Sequence, residues 1–125
     1  PAGGHGLAGL ILLSARLSAD VLPDNPNREP VRTYFGPDES SYAARSPMAH
    51  AANADMPLFI GVAEYDNPHL DRYGVEFAAR VAAAGRRMPR LVRMTRHNHF
   101  TIAAHLNTEE DFLGGELRDF IARGR

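Results

Sequence analysis

Pro57-Leu58-Phe59-Ile60-Gly61-Val62-Ala63-Glu64-Tyr65-Asp66-Asn67-Pro68 decides the fold. Its apolar run does not alternate, as expected for a parallel strand covered on both faces, and it ends in turn-forming residues. With two further stretches that are short, apolar or β-branched and bounded by turn residues, the candidate strands lie at about Leu7 to Leu13, Leu58 to Ala63 and Arg90 to Met94. A well-marked helix lies between the last two. Asn67 can cap it, Pro68 suits its first turn, Asp71 complements its positive end, and Gly85 closes it after Ala84. Leu70, Tyr73, Phe77, Val81 and Ala84 share one face, with Arg72, Glu76 and Arg80 on the other. Strand, helix and strand form a right-handed parallel crossover, so the chain is expected to be α/β.

Outward from this unit, Thr108 and Asp111 resemble a capping box that opens a C-terminal helix striped by Leu113, Leu117, Phe120 and Ile121. Gly114 and Gly115 inside it cost roughly 1 kcal/mol each relative to alanine, so this helix depends on docking. Residues 18–56 differ in character, with Pro23, Pro26, Pro30, Pro37 and Pro47 dividing them into short pieces. Tyr34, Phe35, Tyr42 and Met48 supply apolar anchors, which predicts two or three short helices over the sheet as a cap-like insertion.

The 125 residues, 44% of them hydrophobic, suffice for the core of one soluble domain. All 14 basic residues are arginine and no basic run exceeds Arg86-Arg87, so nucleic acid is not an expected partner. Absence of cysteine excludes disulfides, thiolate metal sites and a cysteine nucleophile. The Leu7 to Leu13 run lacks a basic flank and is too short to span a bilayer, so neither a signal peptide nor membrane insertion is expected. These features suit a cytoplasmic protein. The chain starts with Pro1 rather than methionine, so its true start is expected either to have been removed or to lie upstream.

Asp66 and His99 are the candidate catalytic residues. Asp66 follows the second strand at its carboxyl end, where α/β proteins keep functional groups. A carboxylate there can fix a histidine tautomer and stabilise the imidazolium formed in acyl transfer; Asp66 can equally serve the turn it shares with Asn67 and Pro68. His99 lies in His97-Asn98-His99-Phe100, after the third strand, and can reach the same edge. His97 is the fallback base, while Glu64 and Asp71 can stand in for Asp66. An H-x-H pair can also bind zinc, but His50, His69 and His105 stand at no spacing that selects a third ligand, so no metal is assigned. None of Ser14, Ser18, Ser40, Ser41 or Ser46 stands in a G-x-S-x-G elbow. Ser46-Pro47 suits a helix cap and first-turn proline, and the Tyr34-Phe35-Gly36-Pro37 cluster either packs the core or lines an acyl or aromatic pocket.

Gly9-Leu10-Ile11-Leu12-Leu13-Ser14, Tyr34-Phe35-Gly36 with Tyr42 and Ser46-Pro47, Pro57-Leu58-Phe59-Ile60 with Glu64-Tyr65-Asp66-Asn67-Pro68, and His97-Asn98-His99-Phe100 together resemble the C-terminal half of an α/β-hydrolase. The chain is most similar to carboxylesterase and lipase-like members, including those related to hormone-sensitive lipase and kynurenine formamidase. That resemblance spans nearly the whole chain, residues 1–125, and implies Asp66 as triad acid and His99 as triad base. It also implies an oxyanion-hole segment and a nucleophilic serine upstream of Pro1. Gly3-Gly4-His5-Gly6 has suitable residue types in the wrong order and place for that hole.

The expected fold is therefore the C-terminal portion of an α/β-hydrolase, with about three parallel strands, flanking helices and the proline-rich insertion. Its expected function is hydrolysis of a small-molecule carboxylic ester, with no cofactor. The alternatives are an inert fragment or interaction domain that pairs through an exposed sheet edge, and a histidine metal site at His97 and His99. A homodimer or a separate N-terminal segment would complete the sheet.

Overall fold

A computed structural model describes residues 7–124, so Gly3-Gly4-His5-Gly6 lies outside the described residues. Its elements are β1 (Leu10–Leu13), α1 (Arg28–Phe35), α2 (Tyr42–Arg45), β2 (Leu58–Tyr65), α3 (Leu70–Ala83), β3 (Arg90–Asn98), α4 (Thr101–Ala104) and α5 (Phe112–Arg123). Short 3-10 segments, Glu39–Ser41 and Pro47–Asn53, flank α2. The strands form one parallel sheet in the order β1-β2-β3, an α/β architecture.

Central β2 is apolar throughout because its two sets of alternating side chains enter different cores. Leu58, Ile60 and Val62 pack with Leu70, Tyr73, Phe77, Ala78 and Val81 of α3 and with Leu17, Met48 and Ala51. Phe59 and Ala63 face the opposite layer, where Met94, Ile102, Leu113 and Phe120 meet them. Burial of each large side chain contributes roughly 1.5–3 kcal/mol. Helices thus cover both faces of β2, while β1 and β3 form the edges.

The crossover helix begins differently from its sequence pattern. Asn67 does not cap it through its side chain; the Asn67 carbonyl instead accepts from the Leu70 N–H at 3.1 Å, and His69 enters the helix at a left-handed φ of 72°. Its other end follows expectation: Gly85, at φ 70°, allows the Arg86 N–H to reach the Val81 carbonyl at 3.2 Å. Leu70, Tyr73, Phe77 and Val81 are buried as predicted, whereas Ala84 is exposed because the helix has already ended.

Residues 18–56 form the predicted short helices. Ala19, Val31 and Tyr42 make a small core of their own, partly covered by Phe35, but Tyr34 is exposed rather than an anchor. Ser46 precedes the 3-10 segment opened by Pro47, yet its hydroxyl donates to the Tyr42 carbonyl at 2.8 Å and accepts from the Ala19 N–H at 2.9 Å. It stitches two segments together instead of capping a helix.

At the C-terminal end, Asp111 rather than Thr108 adjoins the first turn of α5. Thr108 shapes the preceding turn, donating to the His105 carbonyl at 2.7 Å and accepting from the Glu110 N–H at 3.3 Å. Gly114 is buried, and it has no room for a side chain, since a Cβ there would lie 1.9 Å from Asp111 Oδ1. Leu113 and Phe120 dock on the sheet, but Ile121 is exposed. Among the described residues, no helix is long and apolar enough to cross a membrane.

Candidate active site

Parallel strands place the residues that follow them at one edge of the sheet, and here three such residues line up. Ser14 follows β1, Asp66 follows β2 and His99 follows β3. His99 Nδ1 lies 3.1 Å from Asp66 Oδ1. The same oxygen accepts from the Asn67 N–H at 2.9 Å, while Oδ2 accepts from Ser14 Oγ at 2.6 Å and from the Ala63 N–H at 3.2 Å. Four donors from three segments fix the carboxylate, whose side chain is 1% exposed. One orientation is therefore strongly preferred.

Irregularity in β3 brings His99 to that carboxylate. Ala63 pairs with Met94 but Tyr65 pairs with Asn98, so β3 bulges, with Arg96 at φ 66°. Glu64 holds the bulge: its carboxylate accepts from the Arg96 N–H at 2.7 Å and from Arg93 at 3.2 Å. Those bonds, that from Arg96 foremost, keep the Glu64 carboxyl below its usual range despite opposing desolvation. Glu64 is thus committed to the backbone. Asp71 is committed too, accepting from the Arg72 N–H at 2.8 Å in the first turn of α3.

Beyond the bulge, Asn98 Oδ1 accepts from the N–H groups of Phe100 and Thr101 at 2.9 and 3.0 Å, and Thr101 Oγ1 accepts from the Asn98 N–H at 2.8 Å. This reciprocal turn holds His99 between its two ends. With Nδ1–H directed at Asp66, the imidazole presents Nε2 as an acceptor. Nε2 makes no hydrogen bond among the described residues, and the His99 side chain is 33% exposed. The pair can accept a proton at Nε2 and stabilise the resulting imidazolium through Asp66.

His97, the fallback base, is placed elsewhere. Its buried ring directs Nδ1 to the Thr101 carbonyl at 3.1 Å and Nε2 toward Glu110 Oε1 at 3.8 Å. The structure therefore brings His99, not His97, to Asp66. No described serine offers its hydroxyl to His99; Ser14, the nearest by topology, donates to the carboxylate instead.

Ser14 is the site residue that sequence reasoning passed over. Its signal was its position immediately after the first strand, aligned with Asp66 after the second. It adopts φ 45°, is buried, and donates its N–H to the Gly61 carbonyl at 2.8 Å. A separate pocket of about 850 Å³ is formed mainly by the insertion, lined by Val31, Tyr34, Phe35, Arg45 and Pro47 among others, with Arg16 beside them. The aromatic cluster thus borders open space, although neither Asp66 nor His99 lines it.

No protein-family model matches the chain, and no curated protein matches its sequence.

Proposed function

We propose that this chain carries the acid and base of a serine-dependent carboxylic-ester hydrolase. The supporting observation is the His99 Nδ1 contact with Asp66 Oδ1 at 3.1 Å, between residues that follow adjacent parallel strands. The nucleophile in this proposal is a serine upstream of Pro1. Its hydroxyl oxygen attacks the ester carbonyl carbon while His99 Nε2 takes the proton, giving a tetrahedral oxyanion. Collapse breaks the bond to the leaving alcohol, which receives the proton from His99. Water then attacks the acyl-enzyme, again losing its proton to His99, and the carboxylic acid departs as the serine is reprotonated.

The encoding open reading frame supplies the first test, because an upstream frame without G-x-S-x-G would sink the proposal. Protein containing that segment should hydrolyse a short p-nitrophenyl ester and react with a fluorophosphonate. His99→Ala should lower kcat by about 10⁴-fold or more, in the range of triad disruptions. Retained turnover would remove His99 from its role.

A second proposal, an interaction domain, has its own support in β1. Leu10 and Ile11 are 39% and 37% exposed, and among the described residues β1 has β2 as its single partner strand. If this edge joins two copies, sedimentation should give a dimer that Ile11→Lys returns to monomer. A monomer before substitution would discard the homodimer.

A further inference from the structure

His97 and His99 stand two residues apart but serve different clusters. His97 joins His105, after α4, and Glu110, in the turn before α5. His105 Nδ1 is 3.1 Å from Glu110 Oε2, His97 Nε2 is 3.8 Å from Glu110 Oε1, and potential ligand atoms from all three residues lie within 4.8 Å of one another. We propose that His97 Nε2, His105 Nδ1 and the Glu110 carboxylate form a site for a divalent transition-metal ion of the zinc class.

The hydrogen bonding of His97 carries this assignment. A carbonyl only accepts, so the 3.1 Å contact between His97 Nδ1 and the Thr101 carbonyl places the proton on Nδ1. In a neutral ring Nε2 is then a lone pair, and it faces a carboxylate, another acceptor. Two acceptors facing each other call for a cation between them. The His97 side chain is 4% exposed, so solvent has little access to meet that need. A metal ion meets it with the ring neutral. An imidazole donating its distal N–H to a backbone carbonyl also has the orienting support found around metal-bound histidines.

The geometry suits a small ion. Bonds of about 2.0–2.1 Å at tetrahedral angles place neighbouring ligand atoms about 3.3 Å apart, close to the 3.1 and 3.8 Å contacts seen here. Thr108 presents both ends of the loop, bonding the His105 carbonyl and the Glu110 N–H. A pocket of about 290 Å³, lined in part by Met94, His97, Glu110 and Phe112, offers an entry path and room for water as a fourth ligand. Arg93 at its rim is paired with Glu64 at 3.2 Å, which moderates its repulsion of a cation. Two nitrogens and a carboxylate favour zinc, cobalt or nickel over calcium or magnesium. The ion would clasp the end of β3 to the turn before α5, securing both ends of the segment that contains His99.

Zinc titration of the untagged full chain, by calorimetry in metal-free buffer, tests the site without an activity assay. One ion should bind per chain, and cobalt should give the visible absorption of a tetrahedral N/O site. Glu110→Gln and His105→Ala change exposed side chains, so folding should survive by circular dichroism while zinc affinity falls at least about tenfold in each. His50→Ala should leave affinity unchanged. Zinc should raise the melting temperature of the parent chain and leave that of Glu110→Gln nearly unmoved. Absence of saturable one-to-one binding would overturn the proposal, as would unchanged binding in both variants. Loss on His99→Ala with His105→Ala silent would overturn it by moving the ion to the H-x-H pair.

Discussion

Ser14 Oγ donates to Asp66 Oδ2 at 2.6 Å, on the carboxylate oxygen opposite the one that meets His99. In the proposed triad this relationship gives Ser14 a positioning role, since its proton is committed to Asp66 rather than shared with His99. Ser14→Ala in the protein proposed to contain the upstream serine should therefore reduce kcat by about fivefold to thirtyfold, the loss of one donor at about 1–2 kcal/mol. Fluorophosphonate labelling should persist in that variant. Loss of labelling together with all turnover would instead make Ser14 the nucleophile.

Asp66→Asn conserves shape but replaces one acceptor oxygen with a donor NH₂ group. All four groups around this side chain donate to it, so either amide orientation sets donor against donor. Folding stability should fall by roughly 1–3 kcal/mol, the cost of leaving buried donors unpaired, as measured by urea denaturation. Turnover should fall further, by about 10⁴-fold, because His99 loses the partner that fixes its tautomer. A variant with unchanged stability would contradict the four-donor geometry.

Asp66 and His99 were legible because each follows a strand-like run, buried along β2 and mostly solvent-facing along β3, and parallel topology brings those ends together. Ser14 was not, because its role exists only through the pairing of β1 with β2. Glu110 was hidden for a similar reason: His105 and Glu110 reach His97 only when α4 and the following turn fold back against β3. The start of α3 was misplaced because Asn67 matches a helix cap locally, whereas the left-handed step at His69 delays the helix to Leu70. In α5, helical periodicity included Ile121, but the narrow docking face reaches only Phe120 and its neighbours.

Gly74 tests the packing of α3 on the sheet. A Cβ at this position would sit 2.6 Å from Val62 Cγ1 and 3.3 Å from Ile60 Cγ2, both on central β2. Gly74→Ala should gain up to about 1 kcal/mol of helix propensity but encounter overpacking of about 1–3 kcal/mol. A net loss in denaturant midpoint is expected, and Gly74→Ala combined with Val62→Ala should recover part of it. A stabilised single variant would show that the helix and sheet are not this close.

Asp20 links the segment after β1 to α3 and should make stability depend on pH. Its carboxylate accepts from the Tyr73 hydroxyl and from Asn25 Nδ2, and Asn25 is itself buried. Desolvation pushes the Asp20 carboxyl upward, but the bonds from Tyr73, Asn25 and the Leu22 backbone, with His69 nearby, outweigh it and leave the carboxyl below its ordinary value. A depressed folded value makes the ionised form stabilising above the unfolded value of about 3.9, with that contribution lost as pH falls through the lower folded value. Asp20→Asn should thus be about 1 kcal/mol less stable near neutrality, converging with the parent chain below about pH 4. At the alkaline end, burial first and then Asp20 push the Tyr73 phenol up to about 12. Its contribution is complete below the unfolded value of about 10 and disappears as pH rises through about 12. Urea titrations across pH and the ultraviolet titration of tyrosinate test both limbs. A constant stability difference from pH 3 to 7, with no downward shift of the Tyr73 titration in Asp20→Asn, would show that this pair does not carry the dependence.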